Sequence, residues 1–211
     1  MLDEGVIKYQ LDYSESTAPE PALIEDISNW RTLLFQMGLI GQDPDRYGGL
    51  GYGNISCRIP ESDNHQFIVS GTQTGHLNQL TPEHFCTVTH CDVEGNHLIA
   101  SGPVKPSSEA ITHGAIYQYK SDANVVIHVH CPEIWRCHEM LRLPHSSEDV
   151  RYGTPELAAE IKAMMEEGAF DNCQLMVIPG HEDGVISFGA TAEQAGHEVV
   201  KVLASAIQNF K

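Results

Sequence analysis

The sequence predicts an α/β domain, with helices layered on a mixed, largely antiparallel sheet. Three observations carry that expectation. Strand-like segments come in hairpin-like pairs, as in NISCRIP followed by HQFIVS and FCTVTHCDV followed by NHLIASG. Helical periodicities are interleaved with those strands rather than segregated from them. The 211 residues contain no internal repeat, low-complexity tract or linker, and a chain of this length buries one substantial core. The expected division is a partly ordered lead-in over residues 1–20 and a single domain over residues 21–211.

Composition narrows the class of partner. Apolar residues make up 41% and charged residues 19% of the chain, ordinary values for a soluble protein. No apolar run approaches the roughly 20 residues that span a bilayer. The acidic, polar start MLDEGVIKYQLDYSESTAPEP lacks a secretory pattern, so a cytoplasmic location is expected. A formal net charge of −17 argues against nucleic acid or an anionic membrane as partner. A small phosphorylated substrate stays compatible, because a pocket is locally positive around a metal. The six cysteines, Cys57, Cys86, Cys91, Cys131, Cys137 and Cys173, form no Cys-x-x-Cys pair and are expected reduced and mostly buried in strands.

In chain order, Leu23, Ile24, Ile27, Trp30, Leu33, Leu34 and Met37 recur at helical spacing over residues 21–37, before Gly38 as a stop. Residues 41–54 (GQDPDRYGGLGYGN) form a turn-rich loop without nucleotide-binding glycine spacing. The first strand pair follows, joined by the polar turn at residues 61–64. Residues 70–80 are a second Gly/Thr loop. Thr81-Pro82-Glu83 then reads as a helix start. A hairpin turns about Glu94-Gly95-Asn96, and a helix over 108–119 leads into a strand over 123–130. Residues 132–152 carry no clear pattern. Thr154-Pro155-Glu156 opens a helix with Leu157, Ala158, Ile161, Met164 and Met165 inward. Residues 173–179 form a buried strand, GHEDG a turn and VISFG another strand. A Thr191/Gln194 capping box then opens a final helix to about residue 209.

The chemistry centres on residues 105–132. Successive strand side chains alternate faces, so His128 and His130 project together while Val129 enters the core. Two imidazoles on one rigid strand begin a transition-metal site. Glu109, near the first turn of the preceding helix, supplies a carboxylate. His181, in the tight turn between two core strands, is the best third imidazole. Three histidines with Glu109 as movable fourth ligand or base make a catalytic zinc-type site. His113 shares the helical face of Glu109 and is either a ligand or a packing partner. Cys131 faces the other way from His130. His65, His76, His84, His90, His97, His138, His145 and His197 lie in turns or on polar faces and receive no role. Ser107 and Ser108, before the helix, either cap it or hold an anion at its N-terminus. The loops at Gly53-Asn54 and Thr74-Gly75 are placed to close over the same anion.

GNIS, the Thr-Gly loop ahead of LTPE, KPSSE, HVH and the later turn histidine together resemble the class II aldolase/adducin family, from about residue 26 onward. Members of that family include fuculose-phosphate aldolase and ribulose-phosphate 4-epimerase. The resemblance implies a three-layer α/β/α fold and a homotetramer with active sites at subunit interfaces. It implies a divalent metal, Zn2+ first and Mn2+, Co2+ or Fe2+ as substitutes, on His128, His130 and His181. It makes Glu109 the acid/base, and assigns phosphate to Asn54, Thr74, Gly75, Ser107 and Ser108, with Ser70-Gly71 a competing alignment for the Thr-Gly pair. Two departures stand out. The family's His-Gly turn is here His181-Glu182-Asp183-Gly184, and the segment that supplies a neighbouring subunit's tyrosine is short, with Tyr152 nearby.

The reaction expected is carbon–carbon cleavage of a small hydroxyketone or sugar phosphate through a metal-stabilised enediolate. The rivals are a 4-epimerase or dehydratase on the same scaffold, and a non-catalytic adducin-like module. The similar epimerases carry Asp where Glu109 stands, and the adducin head lacks the metal ligands. A cupin-type oxygenase fits poorly, because Glu133 follows His130 too closely and the helices do not suit a small barrel.

Overall fold

The computed structural model describes residues 5–60 and 66–209. The turn expected over residues 61–64, and His65, lie outside the described residues. The elements in order are β1 (Gln10–Glu15), α1 (Pro21–Gln36), β2 (Gly41–Gln42), β3 (Gly51–Tyr52), β4 (Asn54–Arg58), β5 (Phe67–Ser70), β6 (Phe85–Asp92) and β7 (His97–Gly102). After these come α2 (Ala110–Tyr119), β8 (Val125–His130), α3 (Pro132–Leu141), α4 (Pro155–Glu166), β9 (Leu175–Val177), β10 (Gly184–Gly189) and α5 (Ala192–Asn209).

Among the described residues, eight strands form one sheet in the order β1-β7-β6-β5-β4-β8-β10-β9. Every pairing is antiparallel except β1 on β7. The expectation of a mixed, mostly antiparallel sheet is met. β2 and β3 pair separately as a short ribbon.

Period-2 alternation on β8 divides the core. Val125, Ile127 and Val129 pack with Ile24, Ile27 and Leu34 of α1, Ile134 of α3 and Val199 of α5. Val126, on the other face, packs with Ile111 and Ile116 of α2 and Leu157 and Ile161 of α4. The sheet therefore lies between two helical layers, the three-layer arrangement the resemblance implied. His128 and His130 share the Val126 face. Each fully buried Ile or Leu contributes about 1.5–3 kcal/mol relative to exposure, so β8 is held on both sides by substantial apolar contact.

The structure corrects some local expectations and fills in stretches the sequence left open. Thr81-Pro82-Glu83 starts only a 3-10 turn, Pro82–His84, because Phe85 enters the strand ladder at once. The loop over 41–54 contains the β2/β3 ribbon. The unreadable stretch holds α3, entered through Pro132 and ended by Arg142 in the left-handed region (φ 53°). The lead-in carries β1, an edge strand on β7. On α4, Leu157, Ala158 and Ile161 are buried, while Met164 and Met165 are only partly so. No described helix is long and apolar enough to cross a membrane.

Candidate active site

β8 is flanked by β4 and β10, and this adjacency assembles the site. Asn54 is the register partner of His128 on one side. Gly184, closing the His181 turn, is the register partner of His130 on the other. Gly53, just before β4, takes φ 75°, and a Cβ there would come within 3.1 Å of the His128 carbonyl oxygen; only glycine permits that approach. Glu109 is carried in by the segment before α2, anchored by the Gly71–Pro106 bridge and by the Ser107 N–H donating to the Ser70 carbonyl at 3.3 Å.

Glu109, His128, His130 and His181 converge. One donor atom from each lies within 4.8 Å of the others, and all four residues are buried. Glu109 Oε1 is 3.0 Å from His128 Nε2 and 3.4 Å from His181 Nδ1. Its other oxygen, Oε2, is buried with no hydrogen-bond partner among the described residues. His128 Nδ1–H donates to the Val185 carbonyl at 3.1 Å, which turns Nε2 toward Glu109, as metal-ligating imidazoles are oriented. Three imidazoles and a carboxylate are a donor set for a first-row divalent ion. An orphaned carboxylate oxygen in a buried cluster is what such an ion would satisfy. The residues fit a metal.

The electrostatics agree. Burial pushes the Glu109 carboxyl up, but His128 and His181 outweigh it and hold the group below the usual carboxylate range. Burial drives His130 well below the ordinary imidazole value, and His181, His128 and Arg46 add to the effect. Glu109 is therefore an ionised carboxylate and His130 a neutral imidazole, the protonation states these two need as ligands.

The inserted turn residues are accommodated. Glu182 is exposed, whereas Asp183 is buried at φ 61°. The Tyr47 hydroxyl donates to Asp183 Oδ2 at 2.6 Å, and Arg46 Nη2 is 3.6 Å from the same oxygen. Tyr47 itself stands at φ 48°, a costly left-handed state for a bulky residue. Its ring meets His130 edge-on with centroids 4.5 Å apart, and Tyr52 leans on His130 at 5.3 Å. Tyr152 lies against His181 at 4.4 Å, and its hydroxyl accepts the Val6 N–H at 3.3 Å. Sequence patterning missed the Tyr47–Asp183 contact; the only local signal was the irregular His-Glu-Asp-Gly turn.

Asn54, Thr74, Gly75, Ser107 and Ser108 line one small cavity of about 20 Å3 beside the cluster. Asn54 Oδ1 is buried there without a partner. Ser107 Oγ accepts the Glu109 N–H at 3.4 Å, a weak cap. The Ser108 hydroxyl makes no hydrogen bond among the described residues. Ser70 Oγ accepts the Ile55 N–H at 3.1 Å and the Thr74 hydroxyl donates to the Gly71 carbonyl at 2.8 Å; Gly71, Thr74 and Gly75 line the cavity and Ser70 does not. Gln73 and Thr72, unremarked in the sequence, line it as well.

Two other residues fall outside the cluster. His113 Nδ1 bonds Ser56 Oγ at 2.7 Å, the packing alternative. Cys131 is buried with its thiol 3.6 Å from Glu133 Oε2.

A family model described as the class II aldolase and adducin N-terminal domain matches residues 45–208. The 3-oxo-tetronate 4-phosphate decarboxylase of Haemophilus influenzae is 34% identical over 80 residues, 38% of this chain. That match spans only 33% of the relative's length. YgbL from Escherichia coli, described as an aldolase/epimerase/decarboxylase, superposes with a TM-score of 0.65 at 19% identity, covering 90% of this chain and 89% of that one. The l-fuculose-1-phosphate aldolase of Thermus thermophilus gives 0.63 at 18% identity, over 89% and 92%. At such identities the structural likeness is one of fold.

Proposed function

The chain belongs to the class II aldolase and adducin family, and from that premise we propose that it is a divalent-metal-dependent lyase. It breaks a carbon–carbon bond beside the carbonyl of a small phosphorylated hydroxy compound. The observation that carries this reading is the convergence of Glu109, His128, His130 and His181 in one buried cluster, next to a cavity lined by neutral hydrogen-bonding groups.

In this reading His128, His130 and His181 hold the metal, with zinc the expected ion, and Glu109 is within reach as a fourth ligand. The bound ion would supply Lewis-acid stabilisation of negative charge at the substrate's carbonyl oxygen. Asn54, Thr74, Gly75, Ser107 and Ser108 receive the phosphate. Holding that end fixes the reacting carbons near Glu109, an advantage of orientation. Glu109, ionised and next to His128, moves the proton at the carbon where the bond breaks. Burial of all four cluster residues excludes bulk water, which protects the carbanion from indiscriminate protonation.

Decarboxylation is the second reading, favoured by the 34% identity to a decarboxylase. Loss of carbon dioxide from a 3-oxo acid also breaks a bond next to a carbonyl and leaves a carbanion, which takes up a proton drawn from solvent and relayed by Glu109. The wider reading includes a homotetramer with interfacial sites and a cytoplasmic location, to which six free thiols are suited. The test is product analysis of metal-loaded protein with ketose phosphates and 3-oxo-acid phosphates. An aldehyde product identifies the aldolase and carbon dioxide the decarboxylase. Epimerised or dehydrated product, or none from any substrate, would contradict the lyase reading.

A further inference from the structure

Arg31 stands on the buried stripe of α1 and is 1% exposed. Its Nη1 donates to the Leu77 carbonyl and, at 2.9 Å, to the Asn78 carbonyl; its Nη2 donates to the carbonyls of Thr74 at 3.1 Å and Gly75 at 3.3 Å. All four acceptors belong to one loop. No carboxylate pairs with Arg31 among the described residues. A buried cation normally requires a counter-charge, because neutral partners do not cancel its field. Burial lowers this guanidinium only to about 10, so it stays charged at neutral pH.

The same loop walls the small cavity, through Thr74 and Gly75. A planar trans peptide sets its C=O and the following N–H in opposite directions. The Thr74 carbonyl points at Arg31, so the Gly75 N–H points away from it. The N–H groups of Gln73, Thr74 and Gly75 have no acceptor among the described residues. In a turn, consecutive free N–H groups can form an anion-binding concavity, and residues 73–75 line this cavity. A Cβ on Gly75 would overlap the Gly41 carbonyl oxygen, so the loop lies tight against the β2/β3 ribbon. The described lining holds no Lys, Arg, Asp or Glu side chain. A positive charge thus sits one peptide layer behind a neutral, donor-lined cavity in a chain of net charge −17.

We propose that Arg31 is the positioning residue of this cavity: without touching the ligand, it fixes the residue 73–75 donors and supplies the charge that makes the cavity select a phosphate ester. The inference rests on reading the cavity as the substrate's anion site. The missing counter-charge is then the phosphate itself. A neutral sugar end, or a terminus with fewer acceptor oxygens, leaves the guanidinium uncompensated.

The test is calorimetric titration of metal-loaded protein with inorganic phosphate at low ionic strength. Wild type is compared with Arg31→Gln, which keeps donors but no charge, Arg31→Lys, which keeps the charge, and Asn54→Leu, which reports where phosphate sits. The expected result is saturable binding by wild type, about tenfold weaker binding by Arg31→Gln and Asn54→Leu, and Arg31→Lys within about threefold of wild type. Metal content unchanged throughout separates this from loss of fold. Wild-type affinity in a folded Arg31→Gln protein would overturn the role of Arg31. If Arg31→Gln does not fold, Arg31→Lys decides: about a tenfold loss with metal retained overturns the charge argument. No binding by wild type, or binding untouched by Asn54→Leu, instead overturns the anion-site reading and leaves the metal cluster standing.

Discussion

Asn54 and His128 are register partners on β4 and β8. One ladder position therefore joins a wall of the proposed anion cavity to a proposed metal ligand. Directly opposed side chains on antiparallel strands lie about 4.5–5.5 Å apart at Cβ, and both strands are central in the sheet. In the proposed function, the spacing between a phosphate held at Asn54 and the carbons reacting at the cluster is fixed by the sheet rather than by a loop.

Replacing Asn54 by Ala should therefore raise KM for a phosphorylated substrate about tenfold, the loss of one hydrogen bond to a charged group. Metal content should not change. Steady-state kinetics with elemental analysis check this; a large fall in metal content would mean that Asn54 supports the cluster rather than the substrate.

Glu109→Gln keeps the size of the side chain but cannot carry a proton. Turnover should fall by about 10²–10⁴-fold while most of the metal stays on the three imidazoles. Single-turnover measurements on metal-quantified protein test it. Retention of both metal and activity would remove Glu109 from the proton transfer.

Tyr47→Phe deletes the 2.6 Å hydrogen bond to Asp183. A partner lost to a buried carboxylate costs about 1–3 kcal/mol, and support lost behind a ligand turn weakens metal binding by about 10–100-fold. Thermal unfolding and competition with a chromophoric chelator read the two effects. Unchanged metal affinity would make the contact purely structural.

His113 gives a pH prediction. Burial, the largest effect, pushes its imidazole down to about 3, with Glu109 opposing and His128 reinforcing. Between pH 6.5 and 3 the unfolded chain binds this proton and the folded chain does not, so stability falls as pH falls through 6.5. The loss from this group is about 2 kcal/mol by pH 5. His113→Gln should flatten the pH dependence of urea unfolding between pH 7 and 5; an equally steep dependence would place the titration elsewhere.

Much of the site was legible because its signals are local. Period-2 alternation put His128 and His130 on one face, and the Ser-Ser-Glu segment before a helical pattern placed Glu109. The turn between two apolar strands singled out His181. The remainder depends on contacts between distant residues. Tyr47 and Asp183 are 136 positions apart, and nothing near either residue specifies the other. Arg31 falls on the Ile24, Ile27, Leu34 stripe of α1, a signal present in the sequence, but apolar counting passes over a charged residue. The same counting included Leu23, Leu33 and Met37, which are 39%, 41% and 39% exposed. α3 escaped because PEIWRCHEML has only Ile134 and Cys137 buried. β1 is an edge strand with no fully buried residue, so it lacks the apolar alternation that marks a strand.

The central claim is that Glu109, His128, His130 and His181 form a metal centre. The most direct measurement is elemental analysis of tag-free protein, wild type against the His128→Ala/His130→Ala double variant. The account predicts close to one divalent ion per wild-type chain and its loss in the variant with the fold retained. Wild-type protein that takes up no divalent metal, even after zinc addition, would contradict it.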